Sequence, residues 1–408
     1  MKPMGPIPPG YEAIDGVLAV GGRPVTELVA EAGGTPLFVY SAEHVRRRVA
    51  DLRSTMPERL AIHYAVKANP FVPVLELFSD LVDGFDIASG GELSIVRDAR
   101  IETGRVSFAG PGKRDAELEA AIRAGVTLNL ESENEAARAL LIADQLGVTP
   151  RLAIRVNPDF DLKGSGMKMG GGAKPFGVDA ERVPALAKDV IAAGAEWRGF
   201  HIFAGSQALD AEAIADTQAR TLALAARLSE ETGAPLPHCN LGGGLGIPYF
   251  PGDEPVDLAL VGEKLAQQLS QLPDVLAETA FCIELGRYLV GEAGVYLARI
   301  VDRKESHGET FLVTDGGLHH QLAASGNFGT VIRRNYPAAI ATRFDAPVEE
   351  TATVVGCLCT PLDRLSDSAE FPRAGVGDLY AVFCAGAYGA TASPSAFLGQ
   401  GPAREMLV

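Results

Sequence analysis

Between residues 37 and 287 the chain repeats one theme: a short apolar run of strand length, then a longer stretch with helical periodicity. Strand candidates fall at residues 63–67, 84–88, 105–109, 126–130, 152–156, 199–204, 238–241 and 281–285. Each of the first seven is followed by a stretch of helical pattern, including residues 113–124, 134–146, 181–193, 211–231 and 256–272. Ser41 is a natural N-cap for a helix ahead of the first strand, with Val45, Val49 and Leu52 on one face. Eight strands alternating with helices over about 250 residues have the length and order of a (β/α)8 TIM barrel.

A chain of 408 residues exceeds what such a barrel needs. After Arg287 the texture changes: residues 288–301, 310–314, 351–355 and 379–383 are β-branched or alternating, with no long helix between them. This predicts a second, mostly antiparallel β domain. Residues 1–36 are punctuated by Gly and Pro, with a hairpin-like piece around residues 14–20 that joins the β domain. The expected domains are therefore 1–36 as a segment of the β domain, 37–287 as the barrel and 288–408 as the β domain proper. A formal charge of -16 argues against nucleic acid or anionic membrane as partners. The five cysteines do not form an even disulfide framework, so a reducing cytoplasm is expected. Neither a leader-like apolar segment at the start nor a bilayer-length apolar run is expected.

Active sites of barrels sit at the carboxyl ends of the strands. Lys67 closes the first strand candidate and is followed by Asn69-Pro70, a turn. A lysine there is paired, reaches out to solvent, or is reserved for covalent chemistry with a carbonyl. Asp86 and Ser89 follow the second strand, Arg155 and Asn157 the fifth, Gly205-Ser206 the sixth, Gly242-Gly243-Gly244 the seventh, and Glu284 with Arg287 the eighth. Three glycines after a strand suit a phosphate cradle or simply a tight turn, and Ser206 adds a hydroxyl. Glu284 could hold a protonated ring nitrogen, or pair with Arg287. A lysine, a phosphate cradle and a carboxylate for a pyridinium are together the requirements of pyridoxal 5'-phosphate.

These motifs resemble those of the fold type III pyridoxal-phosphate-dependent decarboxylases, the group acting on diaminopimelate, ornithine and arginine, whose barrel is related to alanine racemase. The resemblance runs through Tyr-Ala-Val-Lys-Ala-Asn at 64–69, Phe-Asp-Ile-Ala-Ser-Gly-Gly-Glu at 85–92, Arg-Val-Asn-Pro at 155–158 and Gly-Ser-Gln at 205–207. It continues in Leu-Gly-Gly-Gly at 241–244, Glu-Leu-Gly-Arg at 284–287, Cys359 and Ala-Tyr-Gly at 387–389. The stretches at 166–177 and 325–337 are most similar to decarboxylases associated with exosortase A gene clusters, which implies a place in exopolysaccharide or cell-envelope synthesis. The resemblance implies that Lys67 carries the cofactor and that Glu284 keeps its ring nitrogen protonated. It further implies that Ser206, Gly243, Gly244, Gly286, Arg287 and Tyr388 contact the phosphate, with Asp86, Arg155 and Phe203 around the ring. Cys359 would protonate the product from the neighbouring subunit of a homodimer.

Two departures from the group bear on substrate. Relatives read His-x-His-x-Gly-Ser on the sixth strand, whereas here Phe203 stands at the second histidine. Relatives also place a carboxylate after the cysteine for the substrate's distal ammonium, whereas here Thr360 follows Cys359 and the next acid is Asp363. Thr360, Asp363, Arg333 and Tyr336 are the substrate candidates. A modified or carrier-tethered amino acid is the expected substrate; meso-diaminopimelate decarboxylation, amino-acid racemisation and a regulatory homologue without activity are the alternatives. No metal is expected: Cys357-x-Cys359 has no second ligand pair nearby and reads as a buried thiol beside a catalytic one. His319-His320 reads as a local polar cluster or a substrate contact, and Arg46-Arg47-Arg48 as the solvated side of the first helix.

Overall fold

The computed structural model describes residues 1–326 and 334–408. It divides into two compact units, one of residues 49–246 and 255–286, the other of residues 1–48, 247–254 and 287–408.

The first unit is the barrel. Its strands are Leu60–Ala65, Gly84–Ile87, Val106–Phe108, Thr127–Leu130, Arg151–Asn157, Glu196–Ile202, His238–Asn240 and Ala280–Leu285. All are parallel, each pairs with the next, and the eighth pairs with the first, Glu284 opposite His63, so the sheet closes. The helices between them start and stop where local chemistry dictates. Ser89 accepts from the Glu92 N–H, Ser132 from the Glu135 N–H and Asp210 from two N–H groups, while Gly147 and Gly233 close their helices in the left-handed conformation. The first strand ends earlier than the sequence suggests. It stops at Ala65, and Val66–Ala68 forms a 3-10 turn in which Val66 and Ala68 are buried. Burying its two neighbours turns the Lys67 side chain outward, 43% exposed.

Lining residues alternate along the strands with residues that pack against the helices. Barrel interiors are ordinarily filled by branched apolar side chains. Here Asp86, Asn129, Glu131, Arg155, His201, Asn240 and Glu284 are all buried.

The second unit is built on a mostly antiparallel sheet, as expected, with two parallel pairings in it. Its long strand Gly294–Ser306 is antiparallel to Glu309–Thr314, Leu379–Val382 and Leu37–Tyr40. Glu309–Thr314 runs parallel to Glu350–Val355, and Arg404–Leu407 parallel to Leu37–Tyr40. Leu37–Tyr40 is thus a strand of this sheet, not the start of the barrel: Leu37 and Val39 share one apolar core with Val295, Leu297, Leu379 and Ala381, while Phe38 packs against Tyr296. Residues 288–290 were expected as strand and are helical, within Arg287–Val290; the strand begins at Gly294. Arg364–Phe371 is a further strand that sequence pattern did not predict. The expected hairpin forms between Glu12–Ile14 and Val17–Val20, across Asp15-Gly16 with φ of 51° and 80°, the left-handed pair a tight hairpin requires. Arg46 and Arg47 are exposed as expected, but Arg48 is half-buried, pairs with Glu292 and stacks on Tyr288.

Candidate active site

The carboxyl ends of the barrel strands bring Lys67, Glu284 and His201 together. Lys67 Nζ lies 3.4 Å from Glu284 Oε1, and His201 Nε2 lies 3.1 Å from Glu284 Oε2. Glu284 is 6% exposed. Burial alone would raise its carboxyl; the charge of Lys67, the His201 hydrogen bond and Arg155 outweigh it and hold the carboxyl far below the usual range. The carboxylate is therefore kept ionised inside the protein, as a partner for a cationic ring nitrogen must be. His201 was not singled out by sequence reasoning. The signal was present, since it stands two positions before Phe203 on the same face of an alternating strand.

The Phe203 ring lies 5.7 Å from Lys67 Nζ and edge-on to His201. Asp86 is buried, with one oxygen 3.1 Å from His63 Nδ1 and the other without a partner. Arg155 pairs with Glu131 at 3.0 Å and stacks over Phe176. Glu131 also accepts from the N–H groups of Gly110 and Gly177, so it fixes Arg155 to the loops at this end. Glu92 is a second residue that sequence reasoning left unassigned. Burial raises its pKa, against a hydrogen bond from the Ala88 N–H and the charge of Lys67.

The glycine run takes a shape that a side chain would destroy. A Cβ on Gly243 would sit 2.0 Å from the Glu284 carbonyl oxygen, and Gly244 has φ of +111°. Gly242 accepts the Glu284 N–H and donates its own to Asn240 Oδ1. Gly244 approaches the Gly205 carbonyl, which brings the glycine turn beside Gly205–Ser206. A Cβ on Gly286 would meet Ala68 at 2.8 Å. These residues suit pyridoxal phosphate. The lysine, the ionised buried carboxylate and a glycine turn beside a serine are all present in one barrel mouth.

The second unit holds the remaining expected residues. Arg287 donates to the Tyr249 hydroxyl at 2.8 Å and stacks on Tyr388, which has φ of +61°. Tyr336 is buried against Tyr249, with ring centroids 4.8 Å apart. Cys359 is exposed, and so is Cys357, which the sequence reading had placed inside; both lie in the turns just after Glu350–Val355. Asp363 is 2% exposed, and its two oxygens accept the N–H groups of Leu318 and Leu358 at 2.7 and 2.9 Å. A Cβ on Gly317 or Gly356 would run into that carboxylate. Asp363 thus clamps the cysteine turn from within. Thr360 caps the same turn, its N–H donating to the Leu358 carbonyl. His319 is fully buried, and His320 bonds to the Tyr296 hydroxyl and the Gly401 carbonyl. Arg333 lies outside the described residues.

Residues 42–291 match the pyridoxal-dependent decarboxylases through their pyridoxal binding domain, and the chain belongs to that family. It is a pyridoxal-phosphate-dependent carboxy-lyase of fold type III. It is 34% identical over 379 residues to the L-glutamyl-[BtrI acyl-carrier protein] decarboxylase of Niallia circulans, covering 91% of this chain and 88% of that one. It is 33% identical over 393 residues to the diaminopimelate decarboxylase of Aquifex aeolicus, covering 93% and 88%. Among solved structures, diaminopimelate decarboxylase of M. jannaschii in complex with L-lysine superposes with a TM-score of 0.86 at 26% identity, over 98% of this chain and 92% of that one. Among the described residues, no helix is long and apolar enough to cross a membrane.

Proposed function

We propose that the protein removes the α-carboxylate from an amino acid whose far end is neutral, acylated or tethered to a carrier. One observation carries this reading. The next acid in sequence after Cys359, Asp363, is committed to two backbone N–H groups and walled by two glycines, and the residue after Cys359 is Thr360. A distal ammonium would find no carboxylate in this turn, and leaving such a cation unpaired in a closed site is severely unfavourable. The resemblance to a decarboxylase of a carrier-borne glutamate agrees with this reading. Because the α-carboxylate must be free to leave, such a substrate is attached through its side chain.

Bound pyridoxal phosphate supplies the electron-withdrawing ring that allows the carboxylate to depart as carbon dioxide. Lys67 holds the cofactor and Glu284 keeps a proton on its ring nitrogen. His201 and Arg155 hold Glu284 ionised, and Phe203 offers a flat apolar face. Gly243, Gly244 and Ser206 bind phosphate; Gly286, Arg287 and Tyr388 are assigned the same task on the family resemblance. Cys359, as part of a homodimer, returns one proton to the carbon that has lost carbon dioxide, so one proton is consumed per turnover.

The test is carbon dioxide release by the holoenzyme from meso-diaminopimelate, L-ornithine and a glutamate held through its side chain as a pantetheine thioester. The reading expects the thioester to be preferred. Efficient turnover of meso-diaminopimelate would restore the alternative of a lysine-producing decarboxylase, which the shared identity with the Aquifex aeolicus enzyme keeps in view. For the shared site, mixing inactive Lys67→Ala and Cys359→Ala subunits is expected to restore partial activity; no recovery after proven subunit exchange contradicts it.

A further inference from the structure

The amino-terminal half of the barrel is not packed shut. A cavity of about 310 Å³ opens inside it, at the end of the strands opposite Lys67. Ala61, Thr127, His238 and Ala280, at or next to the first residues of their strands, help to line it, which places it at the amino-terminal mouth. Most of its surface is apolar, from residues such as Ala61, Ala153 and Phe200, but His63, Ser107, Asn129, Arg198 and Asn240 place polar groups where a barrel of this kind is ordinarily filled by branched apolar side chains. Polar groups inside a barrel have to be explained by what they contact.

Charge in the cavity is predominantly positive. Arg105 is held by the carbonyls of Ser79, Val82 and Asp83, which fix its guanidinium without neutralising it. Arg198 bonds to Glu196 through Nη1, but its Nε is buried and has no partner. The lining acid, Asp83, already accepts from Arg53 and from the Ile62 N–H. His238 responds to this field: burial, then Arg198 and Arg151, push its pKa down to about 4, so it remains neutral. The volume is at the lower end of what metabolite sites occupy. His63 and Arg198 are each about a fifth exposed, so the cavity is reachable from solvent.

We propose that this cavity is a second ligand site, for a small carboxylate or phosphate anion, held by Arg198 with the amides of Asn129 and Asn240. The site is joined to the catalytic mouth through two walls. Asn240 accepts the Gly242 N–H at the start of the glycine turn, and His63 bonds to Asp86. Cys282, also in the lining, stands two residues before Glu284 on the same face of the eighth strand.

The experiment is titration calorimetry of the cofactor-loaded enzyme with inorganic phosphate and, separately, with succinate, at constant ionic strength, while the cofactor absorbance is monitored. The unmodified enzyme is expected to bind at least one of the two saturably. Arg198→Gln, and Ala153→Leu, which fills the cavity without removing a charge, are each expected to weaken that binding tenfold or more with the absorbance unchanged; either variant suffices should the other fail to fold. Arg227→Gln, on an outer helix, is expected to bind as the unmodified enzyme does. Binding of phosphate alone or of succinate alone identifies which anion the site takes. Absence of saturable binding to both anions overturns the proposal, and so does binding that survives intact in the cavity variants.

Discussion

Glu284 in the barrel and Asp363 in the second unit are both carboxylates inside protein, 6% and 2% exposed, and their surroundings treat charge in opposite ways. Burial works against both. At Glu284 it is overcome by a lysine, a histidine and an arginine, and the pKa falls. At Asp363 the opposing contributions are two backbone N–H groups and a distant His320, and the pKa rises. A carboxylate surrounded by cations is equipped to trade one of them for a cofactor's ring nitrogen. A carboxylate surrounded by backbone N–H groups holds a turn, and the turn it holds carries Cys359. The difference separates a carboxylate kept charged among cations from a carboxylate that holds a backbone turn.

The largest expected effect breaks the first environment altogether. Lys67→Ala removes both the cofactor's attachment point and the cation beside Glu284, and is expected to abolish carbon dioxide release. Borohydride reduction of the unmodified holoenzyme followed by peptide mapping checks the assignment, with label expected on Lys67 alone. Next comes Glu284→Gln, which keeps shape and loses charge. Turnover should fall by more than about 100-fold, equivalent to about 2.7 kcal/mol of activation free energy. Cofactor absorbance measured alongside tells loss of chemistry from loss of binding. Asp363→Asn presents an N–H to one of two backbone N–H groups and should destabilise the fold by about 1–3 kcal/mol in a denaturant titration. Its effect on turnover should be smaller than that of Glu284→Gln; the reverse order would erase the distinction drawn above.

The smallest effect is the sign of the pH dependence, measured on protein stripped of cofactor so that Lys67 is free to pair. Glu284 has a folded pKa below its ordinary 4.5, so its contribution is present above that value and is lost as pH falls through the folded pKa. Asp363 has a folded pKa above its ordinary 3.8, so its contribution is full below that value and is lost as pH rises through the folded pKa. Thermal unfolding between neutral pH and about pH 3 should therefore lose part of its acid sensitivity in Glu284→Gln and become slightly more acid-sensitive in Asp363→Asn.

Much of the barrel was legible because its period is local. Apolar runs and a cap such as Ser41, whose Oγ accepts the His44 N–H, each leave a mark within a few residues. Lys67 and Glu284 could be read because a charge at the end of an apolar run is conspicuous. What sequence did not reveal depends on partners far away in the chain. Leu37–Tyr40 reads as any buried strand, and only its pairing with Gly294–Ser306 assigns it to the second unit. Asp363 was read as a substrate candidate from its distance to Cys359, while its actual partners include Leu318, 45 residues away. The polar lining of the barrel was equally hidden: His63, Ser107 and Asn240 are unremarkable singly and form a cavity wall only once the sheet closes.

The most direct test is of how the turn after Cys359 treats a distal charge. The measurement is the ratio of kcat/KM for a side-chain glutamyl pantetheine thioester to that for meso-diaminopimelate, in the unmodified enzyme and in Thr360→Glu. A ratio above about 10 is expected in the unmodified enzyme, since a site that leaves a cation unpaired discriminates by at least that much. Thr360→Glu is expected to lower the ratio by placing a free carboxylate in the turn. A ratio below one in the unmodified enzyme, or one that Thr360→Glu leaves unchanged, would contradict the proposed function.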